Sequence, residues 1–174
     1  MLSQYLSEII DVEAVSYDNW QIGKIREQGK VLVHFIGNPQ KENLSFLNWN
    51  LTLGLELSRV SSEIMNRKNF DIIHANDWQT IYLAVSLKKA FGTKLFLTMH
   101  STEKERNPYS NTEFSKSVSQ IEWNGCYFAD KIFVNNERTL NSLLHDYRVP
   151  AEKIVISNTR KYESVIEEYK KVIE

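Results

Sequence analysis

Three short stretches of this chain hold side chains able to do chemistry: His74-Ala75-Asn76-Asp77-Trp78, Met99-His100-Ser101-Thr102 and Asn135-Asn136-Glu137. They contain two of the four histidines. Imidazoles, a carboxylate and amides gathered in one place can orient and polarise a polar ligand, and a histidine can carry a proton near neutral pH. Each residue also has a plainer role. Asp77 opens a helical run and is suited to cap it, Asn136 and Glu137 are placed to cap the helix that follows them, and His74 can be a core histidine bonded to a neighbour. Trp78 and Trp123 are expected to face a sheet as core residues ahead of any sugar-stacking role. His100 differs, because it ends an apolar strand, KLFLTMH, and opens a long polar loop. That loop, Ser101 to Asn111, carries Glu103, Lys104, Glu105 and Arg106. A charge run is ordinarily a solvated face, yet loops of this length are often functional.

Several chemistries lack their residues. No third His, Cys or carboxylate stands at metal-ligand spacing with His74 and His100, so no metal site and no cofactor are expected. Gly-x-Ser-x-Gly, a Walker loop and Gly-x-Gly-x-x-Gly are all missing from the sequence.

The elements that must position these residues are legible from periodicity. After Asn69, short apolar strands alternate with amphipathic helices: strands over 70–75, 94–99, 131–135 and 153–157, helices over 78–91, 112–128 and 137–147. Gly92 and Pro150 stand where helices should stop. Strands joined by crossover helices pair in parallel, and ligands bind beyond their C-terminal ends, where the three stretches fall. Upstream, residues 2–10 read as a short amphipathic helix, Val12 to Tyr17 as a β-branched run, and Gln21 to Arg26 with Val31 to Ile36 as an antiparallel hairpin. A helix is expected from Asn43 to Arg67, with Leu53, Leu57, Val60 and Ile64 on one face. A terminal helix should put Tyr162, Ile166, Tyr169 and Ile173 on its docking stripe. The fold class is therefore α/β: a Rossmann-like parallel sheet sandwiched by helices, with an antiparallel hairpin near the N-terminus.

Composition narrows the function classes. The 174 residues carry 21 Lys+Arg against 22 Asp+Glu, a net charge of −1, which gives no basic excess for nucleic acid. The longest apolar run, Ile81 to Val85, is five residues, far below the ~20 of a membrane helix, so no membrane partner is expected. Cys126 is the single cysteine and reads as a small buried hydrophobe. With no basic and apolar leader at the N-terminus, a cytoplasmic location is expected.

FDIIHANDWQT (70–80), TMHSTEKERNP (98–108), IEWNGCYFADKIFVNNE (121–137) and VPAEKIVISN (149–158), in this order, resemble the N-terminal half of retaining glycosyltransferases of the two-domain GT-B type, with the pattern of glycogen and starch synthases. The resemblance covers residues 43–158. It implies a division into a helix-and-hairpin extension (1–42), a Rossmann-like glycosyltransferase domain (43–158) and a C-terminal helix docking on it (159–174). It implies that His100 is the histidine at the reaction centre, and that His74 and Asp77, supported by Trp78, flank the acceptor side of the cleft. Ser101, Glu103 and Arg106 belong to the segment leading toward the acceptor. Such enzymes transfer glucose from a nucleotide-glucose donor to a glucan end, with retention and without a bound metal. Positioned dipoles in a dry cleft suit an oxocarbenium-like transition state.

The departures from the pattern are specific. Residues 1–42 hold only the isolated Gly23, Gly29 and Gly37 in place of a Gly-Gly-Leu-Gly loop, Asn76 stands for the second histidine of His-x-His-Asp, and Asn158-Thr159 for an Asn-Gly. The residues that hold a nucleotide sugar in the C-terminal domain are missing too. The expectation is an acceptor-side domain that uses nucleotide-glucose only with a second domain and is inactive alone. A decayed domain acting as a carbohydrate-binding or protein-interaction subunit, with a protein partner at the surface the missing domain would cover, is the alternative. An unrelated α/β hydrolase using His74, Asp77 and His100 is a third reading. The donor nucleotide, ADP or UDP, is left open.

Overall fold

The computed structural model describes residues 2–39, 45–157 and 162–173. The chain divides into two compact units, Met1–Asn69 and Phe70–Glu174.

The first unit holds α1 (Leu2–Leu6), β1 (Val12–Tyr17), β2 (Ile25–Gln28), β3 (Val31–Ile36) and α2 (Phe46–Arg67). The expected antiparallel hairpin forms, but its first strand is Ile25–Gln28 and not Gln21 to Arg26: β2 pairs with β3 around Gly29, whose φ of +64° suits a residue without a Cβ. β1 is an addition to that picture: it runs parallel to β3 on its other side, giving the order β1-β3-β2. Period-2 alternation puts Val31, Val33 and Phe35 on one face, against Val12 and Ala14. On the opposite face His34 and Glu13 meet at 2.9 Å. α1 ends at Leu6, earlier than the apolar spacing to Ile10 suggested. Ser45 caps α2, its side chain accepting the Asn48 N–H, and the helix buries Leu53, Leu57, Ile64 and Met65. The expected start at Asn43 lies outside the described residues.

The second unit holds β4 (Ile72–Asn76), α3 (Asp77–Phe91), β5 (Lys94–Met99), α4 (Glu103–Arg106), α5 (Glu113–Phe128), β6 (Lys131–Val134), α6 (Glu137–His145), β7 (Ile154–Ile156) and α7 (Glu163–Ile173). The four strands are parallel in the order β4-β5-β6-β7, the α/β sheet flanked by helices that the alternation predicts. Its centre is dry: Leu95, Phe96, Leu97, Met99, Ile132, Phe133 and Val134 are all buried, each contributing about 1.5–3 kcal/mol. Gly92 ends α3 in the left-handed region (φ +71°), as the C-cap reading requires. Gly125 lets α5 approach α3, since a Cβ there would come within 2.6 Å of Ile81.

Several local expectations change. Trp123 is not a core residue; it is 45% exposed and stacks on Tyr127 one helical turn along. Helix α6 stops at His145, two residues short of its expected end. α7 buries Val165, Glu168 and Tyr169, so the docking stripe is rotated from the one expected, and Ile173 is exposed. Glu168 lies on the buried stripe, pairing with Lys131 at 3.2 Å and Lys171 at 2.6 Å.

Candidate functional site

The C-terminal ends of β4, β5 and β6 deliver Asp77, His100, Asn135 and Asn136 to one edge of the sheet. Parallel register explains the alignment, because Asn76 is paired with Thr98 and Met99 with Val134, so each strand ends beside its neighbour.

Asp77 is not the cap of α3. Asn76 occupies that position, and Asp77 is the first helical residue, with φ at +55°. A non-glycine residue held there costs about 1–3 kcal/mol and persists only where its surroundings fix it. Here the Asp77 carboxylate accepts the His100 backbone N–H at 2.9 Å, bridging the ends of β4 and β5. The His100 carbonyl is met from the other side by Asn136 Nδ2 (3.4 Å) and the Thr139 hydroxyl (3.2 Å), whose one proton it shares with Glu105 Oε2 (3.0 Å) and Asn136 Oδ1 (3.1 Å). Both backbone polar groups of His100 are thus engaged by neighbouring strand ends. Its side chain stays exposed, with Nδ1 3.5 Å from Asn135 Nδ2. Asn136 also caps α6, its side chain accepting the Thr139 N–H at 2.8 Å. The capping and site readings of Asn136 therefore hold together.

His74 points elsewhere. Nδ1 meets the Tyr169 hydroxyl at 2.6 Å and Nε2 meets Thr98 Oγ1 at 2.7 Å, with Phe96 and Phe133 around the ring. Burial pushes its pKa down to about 4, so the imidazole is neutral at physiological pH. Its groups tie β4 and β5 to α7. Trp78 is buried, edge-on to Phe114 of α5 at 6.1 Å, and serves packing.

The segment after His100 is not a solvated charge run. It forms a capping box: the Thr102 hydroxyl accepts the Glu105 N–H (3.1 Å), and the Glu105 carboxylate accepts the Thr102 N–H (3.3 Å). Glu103 is 3% exposed, with its carboxylate taking Arg106 Nη2 (3.1 Å) and Asn107 Nδ2 (2.9 Å). Arg106 also donates to the Ser101 carbonyl (3.0 Å) and hydroxyl (2.8 Å). Both charged residues act on the protein itself. Glu122 of α5, fully buried, accepts from the Glu103 N–H, Arg106 and the Tyr147 hydroxyl. Burial raises the Glu122 pKa against the pull of these donors. Sequence reasoning missed Glu122, Tyr147, Thr139 and the capping role of Thr102. The Thr102-x-x-Glu105 spacing was readable as a capping box, and Glu122 stood out as a carboxylate next to Ile121 on a helix face due for burial.

Among the described residues no group of three His, Cys, Asp or Glu side chains is placed to hold a metal ion. Nor, among them, is any helix long and apolar enough to cross a membrane.

The sequence and the fold are similar to those of known proteins. An uncharacterized glycosyltransferase of Methanocaldococcus jannaschii is 23% identical over 144 residues, 83% of this chain and 35% of that protein. The chain therefore spans about a third of that relative's length. Two chains of sucrose-phosphate synthase from Thermosynechococcus elongatus share the fold. One superposes with a TM-score of 0.72 at 11% identity over 97% of this chain and 90% of that one. The other gives 0.71 at 13% identity over 88% of this chain and 39% of that one. The sequence profile of Glycosyltransferase Family 4 matches residues 23–158, which take in all three strand ends, and the chain belongs to that family.

Proposed function

We propose that this chain is the acceptor-side half of a retaining glycosyltransferase of glycogen synthase type, moving glucose from a nucleotide-glucose to a glucan, and that it is inactive without a donor-binding domain. The observation that carries the proposal is His100: its N–H and C=O are fixed by Asp77 and by Asn136 with Thr139, while its imidazole remains exposed at the edge where strand ends converge. A backbone pinned from both sides presents one side chain with little reorganisation, as stabilisation of a developing charge requires. Asp77 is assigned the bridging of the strands beneath the acceptor. Ser101 is assigned an acceptor contact, and Glu103 and Arg106 the shaping of the loop. His74 and Trp78 are assigned to the frame behind the site.

The test is glucose transfer from ADP- and UDP-glucose to maltooligosaccharide, with the chain alone and mixed with a donor-binding domain of the same family. Activity only in the mixture, abolished by His100→Ala, is the expected result. Transfer by the chain alone would overturn the stated dependence. Activity in the mixture that survives His100→Ala would overturn the assignment of His100. The likeness to sucrose-phosphate synthase makes a phosphorylated monosaccharide the second acceptor to try.

A further inference from the structure

We propose that Glu122 is a positioning residue for the His100 segment, a role that rests on the reading of His100 given above. Its carboxylate sits on α5, 0% exposed, and takes the Glu103 N–H through both oxygens at 2.8 and 3.0 Å. It also takes Arg106 Nη2 at 2.9 Å and the Tyr147 hydroxyl. Arg106 then spends its other terminal nitrogen on Ser101, the residue after His100, gripping carbonyl and hydroxyl together. The chain of contacts runs from a buried carboxylate, through one guanidinium and one amide, to the residues next to the exposed imidazole.

Packing alone does not call for such a group. An apolar side chain of similar volume fills a buried helix position at least as well, and a buried charge costs desolvation that its partners only offset. What the carboxylate supplies beyond packing is direction, since an acceptor with three separate donors fixes them relative to one another. The capping box and the Thr102–Ser142 hydroxyl contact at 2.7 Å hold the far side of the same turn against α6. Glu122 provides the hold from α5. The Ser101–Arg106 turn is thereby suspended between two helices.

The experiment is amide and imidazole NMR on the chain, free of any sugar, with Glu122→Gln and Arg106→Lys. Glu122→Gln keeps shape and one acceptor while removing the charge. It should move the His100 amide and imidazole resonances and quicken exchange at the Glu103 and His100 amides roughly tenfold or more, the scale of a lost charged hydrogen bond. Exchange at Leu95 and Ile132 in the sheet should change less than about twofold. Arg106→Lys removes the guanidinium fork from Ser101, Glu103 and Glu122 while leaving the Glu122 carboxylate on the Glu103 N–H; it should reproduce the His100 signature with a smaller change in Glu103 exchange than Glu122→Gln gives. His100 resonances at wild-type positions in both variants would overturn the proposal, whatever happens to thermal stability, because Glu122 would then only hold α5 in place. If Glu122→Gln does not fold, Arg106→Lys decides by the same criterion. Failure of the wild-type chain to bind maltotetraose would count against the glucan reading and leave these resonances to judge Glu122 separately.

Discussion

Acidification should destabilise the second unit through His74 before most carboxylates titrate. The perturbation is a shift from pH 7.5 to 4.5, compared between the wild-type chain and His74→Gln. An imidazole titrates near 6.5 in an unfolded chain, and burial among Phe96, Phe133 and Tyr169 brings the folded value down to about 4. The unfolded state therefore binds the proton first, and stability is lost as pH falls between those two values. At 1.36 kcal/mol per pH unit the full gap is worth about 3.4 kcal/mol, of which about 2.5 kcal/mol is expressed by pH 4.5. Glu122 acts with the opposite sign: its raised pKa contributes stability that is complete at low pH and lost as pH rises through the folded value. It is present in both proteins, so the difference between them isolates His74. The assay is hydrogen exchange at the most protected β5 amides, with the His74 Cε1–H shift followed directly. A wild-type protein that loses about 2.5 kcal/mol more than His74→Gln over this range supports the reasoning. A midpoint for His74 near 6.5, or identical losses in the two proteins, would refute it.

Three further outcomes are expected. Cys126 is buried and its thiol is pushed up to about 12, so the folded chain at pH 8 should react with iodoacetamide only at the rate of unfolding; rapid labelling would contradict the packing around α5. Gly125→Ala should cost about 1–3 kcal/mol in chemical denaturation, because the new methyl meets Ile81 where α3 and α5 touch. Asp77→Ala should leave the sheet intact yet release the His100 N–H, giving at least roughly tenfold faster exchange at that amide; an unchanged rate would show that Asp77 does not hold it.

The sheet was legible because each of its strands is a short apolar run closed by a polar turn, and the helices between them repeat at 3.6 residues. The parallel pairing of β1 with β3 was not legible, since β-branched alternation identifies a strand and is silent about its neighbour. At the candidate site, the strand ends bring Asp77, His100, Asn135 and Asn136 to one sheet edge as their positions suggested, but what each side chain touches is fixed by contacts between segments far apart in the chain. His74 and Tyr169, 95 residues apart, show this best: the sequence allowed either a core histidine or an acceptor-side residue, and the Tyr169 hydroxyl on α7 with Thr98 makes it a core one. The same holds for Glu103 and Arg106, whose charges read as solvated until Glu122 was found beneath them. Of the capping signals, that of Asn136 held, because a cap is local by construction, while that of Asp77 did not, since Asn76 takes the cap position of α3.

The central claim is that the edge carrying His100 is where a sugar acceptor binds, and the most direct measurement is an amide NMR titration of the chain with maltotetraose. Saturable shifts confined to Asp77, His100, Ser101, Asn135 and Asn136, and lost in His100→Ala, are what the account predicts. No shifts at millimolar sugar, or shifts clustered on a different surface such as the Trp123–Tyr127 stack, would contradict it.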